Sequence, residues 1–148
     1  MDFNQQDFAV ALLDTTPDAV IYADVLGKIR FWNQGAERIF GFTEAEALGQ
    51  SLDIIIPDNL RARHHQGHEK TMRTGETRFG GGETLAVPAL RKDGTRISVE
   101  FTIVPFRDAS GAMVGLAATL RDVTARFEEL RALRRRVADL PPNPILIA

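Results

Sequence analysis

The sequence predicts an α+β fold, because strand-forming and helix-forming segments occur in separate runs rather than in strict alternation. Three observations carry this. Asp18–Asp24 (DAVIYAD) and Lys28–Trp32 (KIRFW) flank a Leu26-Gly27 turn and are rich in branched and aromatic residues, which suit strands. The next stretch is punctuated by helix caps and stops: Asn33 and Gly41, then Thr43 with Glu46, and Gly49. Finally, RKDGT joins two long strand-like runs, and its Asp93-Gly94 is a strong hairpin signal.

In chain order, NQQDFAVALLD (4–14) carries apolar residues at Phe8, Val10, Ala11, Leu12 and Leu13, enough for a short amphipathic helix before Thr15-Thr16-Pro17. The predicted hairpin follows. Asn33 caps QGAERIFGF, in which Ala36, Ile39 and Phe40 form an apolar stripe, and Thr43 opens a second short helix through a Thr-x-x-Glu box. Leu52–Ile56 is a short apolar element ended by Pro57. Asp58 to about Thr74 is helical and closed by Gly75. Arg78–Leu90, Arg96–Phe106 and Ala112–Asp122 are three strands, giving the order β-β-α-α-α-β-β-β.

After Thr124 the pattern changes to RFEELRALRRRVADL. Val123, Leu130 and Val137 recur every seven residues, with Leu133 and Leu140 completing a seam flanked by charge. Pro141-Pro142 ends this helix, and the remainder reads as an unstructured tail. The expected layout is therefore a flanking helix at 1–14, a domain at 15–124, a signalling or coiled-coil helix at 125–140 and a tail at 141–148.

Composition restricts the function classes. The 148 residues are 44% hydrophobic and 26% charged, an ordinary globular balance, and the formal charge of −2 gives no field that suggests nucleic acid as a partner. Cysteine is absent, which removes disulfides, thiolate metal sites, thiol nucleophiles and photochemistry through a cysteine adduct. No basic leader or long apolar run is present, so the expectation is a cytoplasmic chain without membrane contact. No nucleophile, acid–base pair or complete metal set marks an enzyme.

The feature of greatest chemical interest is 57–82, PDNLRARHHQGHEKTMRTGETRFGGG, which holds all three histidines. His64 and His68 are four apart on one helical face, as a two-histidine metal site requires, while His65 points about 100° from His64. Gly80-Gly81-Gly82 sits beside a strand rather than before a helix, so it suits close backbone approach or a flexible loop better than phosphate binding. A solvated basic face is the alternative for the histidines. Trp32 and Tyr22 read as core or sheet-face aromatics.

The hairpin with FWNQGAERIFGFTEAEALGQ, the pair RKDGTRISVEFTIVPFRDASGAMVG and the closing LRDVT together resemble a PAS domain over about residues 14–124. The resemblance implies a five-stranded antiparallel sheet, order 2-1-5-4-3, with short helices on one face around a ligand pocket. It also implies a sensor or dimerisation module: a homodimer that relays a change to an output domain such as a histidine kinase.

Leu60-Arg61-Ala62-Arg63-His64, with Thr74-Gly75 closing the helix, further resembles the haem-binding oxygen-sensor PAS subfamily. In that register His64 matches the axial iron ligand of haem b, a role a neutral imidazole can fill. Lys70 and Arg78 match positions that carry charge toward the propionates. Phe79, Gly82 and Thr84 fall where the pocket wall is expected, but Gly82 and Thr84 stand where those sensors place an arginine or methionine. The alternative is a ligand-free dimerisation scaffold whose interior is filled by Phe40, Phe42, Ile54, Ile56, Phe79 and Leu90.

Overall fold

The structure is a computed structural model that describes residues 2–77 and 86–142. Its elements are α1 (Gln5–Thr15), β1 (Ala19–Asp24), β2 (Ile29–Trp32), α2 (Gln34–Phe40), α3 (Glu44–Ala47), α4 (Arg61–Thr74), β3 (Ala86–Leu90), β4 (Arg96–Arg107), β5 (Met113–Asp122) and α5 (Thr124–Ala138). Two 3₁₀ turns, Leu52–Ile55 and Asp58–Leu60, join α3 to α4. The strands form one antiparallel sheet in the order β2-β1-β5-β4-β3, with β1 and β5 paired from Ala19–Leu120 to Asp24–Gly115. This is the predicted α+β architecture.

Pleating places Ala19, Ile21, Val99 and Leu120 on the helix side, where Ile29, Trp32, Ala36, Phe40, Ala47 and Ile55 complete the core. Trp32 lies in that core, its indole N–H donating to the Phe42 carbonyl at 3.0 Å and its ring 5.7 Å from Phe40. The other sheet face leaves Phe31, Val104 and Phe106 exposed, with Tyr22 edge-on to Phe106 at 5.6 Å.

Asn33 is the buried polar hinge of the fold. Its Oδ1 accepts from Ala36 N at 2.9 Å, capping α2, and from Val20 N at 2.8 Å, while Nδ2 donates to Leu13 O and Asp18 O at 2.8 and 3.1 Å. One side chain thus ties α1, β1 and α2 together. Gly35 beside it is equally constrained, since a Cβ there would lie 2.0 Å from Asp18 O. The capping box of α3 forms as the sequence predicts, between Thr43 and Glu46.

At the far end, Asp122 Oδ1 accepts from Thr124 N at 2.9 Å, and Thr124 Oγ1 accepts from Ser98 N at 2.9 Å. The Asp-x-Thr ending therefore fastens α5 to β4. Of the heptad seam, Val123 is buried in the domain, whereas Leu130, Leu133, Val137 and Leu140 are exposed. Phe8, Val10 and Leu12 of α1 are exposed as well, and no residue of that helix is buried. The strand expected over Arg78–Leu90 is seen as β3 from Ala86; its first part, with Arg78, Phe79, Gly82 and Thr84, lies outside the described residues. The expected tail beyond residue 142 lies outside them too.

Candidate functional site

Helix α4 carries the histidines, and its sequence explains its unusual seat. Arg61–Thr74 contains almost no apolar residues, and none of its 14 residues is buried. Apolar burial therefore does little to hold it. Gly75 ends it with φ 72°, a left-handed conformation that suits glycine.

Polar contacts hold the helix instead. Arg61 Nε donates to Ile56 O at 3.1 Å, His65 Nε2 lies 2.7 Å from Asp53 Oδ1, and His68 Nε2 lies 3.1 Å from Val25 O. Carboxylate and carbonyl oxygens only accept, so both histidines donate through Nε2. The helix end abuts Arg107, whose guanidinium would collide with any Cβ at Gly75.

Between α4, the β1–β2 turn and the Leu52–Ile55 turn is a cleft of about 230 Å³, lined by Leu26, Gly27, Ser51, Leu52, His64, His65 and His68. Among the described residues, His64 Nδ1 is buried without a hydrogen-bond partner. Leaving such an atom unsatisfied costs roughly 1–3 kcal/mol, which marks a place where a partner is expected. Burial first, then the neighbouring His68 and His65, lowers the pKa of His64, against an opposing pull from Asp53. The ring is thereby held in the neutral form that can ligate a metal.

The sequence-predicted residues separate on this geometry. His64 and His68 share the cleft, as their four-residue spacing requires, and His65 borders it through its bond to Asp53. Lys70 is exposed and not among the lining residues. Among the described residues, no group of three or more His, Asp or Glu side chains is arranged to hold a metal ion. Phe40 is fully buried and Phe42, Ile54 and Ile56 pack on the core, so the described interior behind the sheet is well filled.

Sequence reasoning missed Asp53, Val25 and Ser51 as parts of the site. Asp53 left a signal, a lone acid inside the apolar run Leu52–Ile56. Val25 contributes a backbone carbonyl, which no side-chain pattern reveals.

A fold with this strand order and an Asn-capped helix against the sheet defines a PAS module, and the chain belongs to that family: the family model described as PAS fold matches residues 7–123. It is similar to the sensor protein FixL of Bradyrhizobium diazoefficiens, with 32% identity over 128 residues, covering 82% of this chain and 25% of that protein. A protein from Azorhizobium caulinodans is 38% identical over 126 residues, covering 84% of this chain and 17% of its own length. The oxygen sensor protein DosP of Escherichia coli is 25% identical over 122 residues, covering 81% and 15%. The chain thus spans a quarter or less of these relatives.

Among solved structures, the PAS domain of a Colwellia psychrerythraea protein superposes with a TM-score of 0.71 at 24% identity, covering 82% of this chain and 99% of that one. An RNA-binding light-oxygen-voltage receptor gives 0.70 at 20% identity, covering 90% and 37%. At these identities the superpositions speak to the fold alone. No helix among the described residues is long and apolar enough to cross a membrane.

Proposed function

We propose that this chain is the sensory module of a signalling protein, that its ligand site is the histidine cleft under α4, and that His64 is the ligating residue, with haem b as the group it holds. The observation that carries the reading is His64, a cleft-lining residue whose buried Nδ1 has no hydrogen-bond partner among the described residues. The Leu-Arg-x-x-His register and the likeness to an oxygen sensor protein support haem over other ligands.

The residues fit the donor that haem needs: a neutral imidazole with no competing hydrogen bond among the described residues. The cleft fits less fully. Its 230 Å³ falls below the roughly 300 Å³ at which pockets for drug-sized ligands begin, so α4 must stand further out when haem is held. Bound haem would supply a reversible site for a diatomic gas or an electron. Leu52 lends the cleft apolar surface, and His64 would hold the iron. Saturable one-to-one binding of haemin by the purified chain tests the assignment.

Relay proceeds through the flanking helices. The exposed apolar residues of α1 and the unpaired seam of α5 suit a homodimer in which α5 passes the change to an output domain such as a histidine kinase; catalysis belongs to that domain. The reading places the chain in the cytoplasm, with residues 1–14 and 125–140 flanking a sensory unit at 15–124. Sedimentation equilibrium tests the dimer: a monomer at high micromolar concentration, with or without residues 1–14, sinks it.

A second reading is a ligand-free scaffold serving dimer contacts. The packing of Phe40, Phe42, Ile54 and Ile56 into the interior favours it. The haemin titration separates the two.

A further inference from the structure

Helix α4 would have to stand further out for the cleft to admit a group as large as haem, and what restrains it is visible. The β1–β2 turn opposite is rigid: Asp24 Oδ1 accepts from Leu26 N and Lys28 N, both at 3.0 Å, its Oδ2 accepts from Arg30 Nε at 2.8 Å, and Gly27 takes φ 77°. The Val25 carbonyl is therefore a fixed acceptor. His68, which lines the cleft together with His64, reaches that carbonyl from the middle of α4.

Other contacts lie elsewhere along the helix, which also packs against β5. Arg61 and His65 hold its first half to Ile56 and Asp53, and Arg107 abuts Gly75, which ends it. Among the described residues, the His68 bond is the hydrogen bond that joins α4 to the β1–β2 turn. A Cβ at Gly27 would already lie 3.9 Å from His68 Nε2, so turn and helix are in contact at this point.

We infer that His68, through its hydrogen bond to the Val25 carbonyl, is a positioning residue that sets how far α4 stands from the β1–β2 turn and hence how wide the cleft beside His64 opens. This rests on the ligand reading of that cleft. His68 lines the cleft and is bonded to the turn, and it acts on His64 by fixing the rotation and height of their shared helix. The inference also explains how a helix with so little apolar surface keeps His64 Nδ1 buried.

The test uses the full chain with ¹⁵N-labelled histidine and no ligand, comparing His64 ring signals in wild type, His68→Ala and His68→Gln. Alanine removes the donor on a good helix former, and glutamine keeps an N–H that can reach a carbonyl. The expected result is His64 signals displaced toward solvent-exposed values in His68→Ala and restored in His68→Gln. Haemin should associate roughly three- to tenfold faster with His68→Ala, the equivalent of one hydrogen bond. Unchanged ring signals in His68→Ala, or equal displacement in both variants, overturn the inference. A wild type that takes up no haemin overturns the haem assignment instead, and the ring signals still decide the role of His68.

Discussion

Asn33 Nδ2 donates to the carbonyl of Leu13, twenty positions earlier, at 2.8 Å. The end of the N-terminal helix is thereby tied to the residue that caps α2 and holds the start of β1. A helix with no buried residue of its own is thus fixed to the domain by a buried amide.

Replacing Asn33 tests that hinge. Asn33→Ala leaves Val20 N, Ala36 N and two carbonyls without their partner. The expected loss is about 2–4 kcal/mol, read from urea unfolding, because buried groups left unsatisfied cost more than a hydrogen bond gains. Amide exchange in α1 should accelerate more than in β4. A loss below about 1 kcal/mol contradicts the hinge.

Gly35→Ala probes the same corner sterically. The added Cβ would sit 2.0 Å from Asp18 O, which is backbone and cannot rotate away. Overpacking of this kind costs about 1–3 kcal/mol or more, despite alanine's better helix propensity. Gly67→Ala, where nothing lies within 4 Å of the new Cβ, is the control and should stabilise by up to about 1 kcal/mol. Equal unfolding midpoints for the two variants would refute the packing argument.

Acid should weaken one surface link in a defined window. The Lys92 ammonium first, then the Thr43 backbone N–H, hold the Glu46 carboxyl down to about 2 from its ordinary 4.5. A depressed carboxylate stabilises the folded state above its unfolded pKa, and that contribution is lost as pH falls from about 4.5 through about 2. Solvent exposure and salt keep the effect small. The slope of stability against pH in this window should flatten in Glu46→Gln and in Lys92→Met. An unaltered slope in both variants contradicts the pairing.

Thr124 couples the sheet to the outgoing helix. Thr124→Ala removes the acceptor for Ser98 N and should cost about 1–2 kcal/mol of stability. Exchange at the first turn of α5 should rise while β1 is unaffected. Thr124→Ser, which keeps the oxygen, should restore most of the protection. Failure of serine to do so would assign the effect to the methyl group.

Much of the fold was legible because its signals are local. Asn33, Gly41, Thr43 with Glu46, Gly75 and Asp93-Gly94 act within a few residues of themselves, so caps and turns follow from sequence. The strand order came through family resemblance, since pairing β1 with β5 joins residues about a hundred positions apart. The site was legible only in part. The family register selected His64 and the four-residue spacing put His68 on its face, but Asp53 and Val25 O lie 12 and 43 residues from their histidines, and no period in the sequence links them. The exposed position of Lys70 likewise depends on how α4 is rotated, which its polar tethers fix and its composition does not.

The visible absorption spectrum of the purified chain with one equivalent of haemin tests the central claim most directly. Wild type should show a Soret band displaced from that of free haemin and saturating at one equivalent; His64→Ala should lose it, and His65→Ala should keep it. A free-haemin spectrum in wild type, or the same bound spectrum in wild type and His64→Ala, would contradict the assignment of His64.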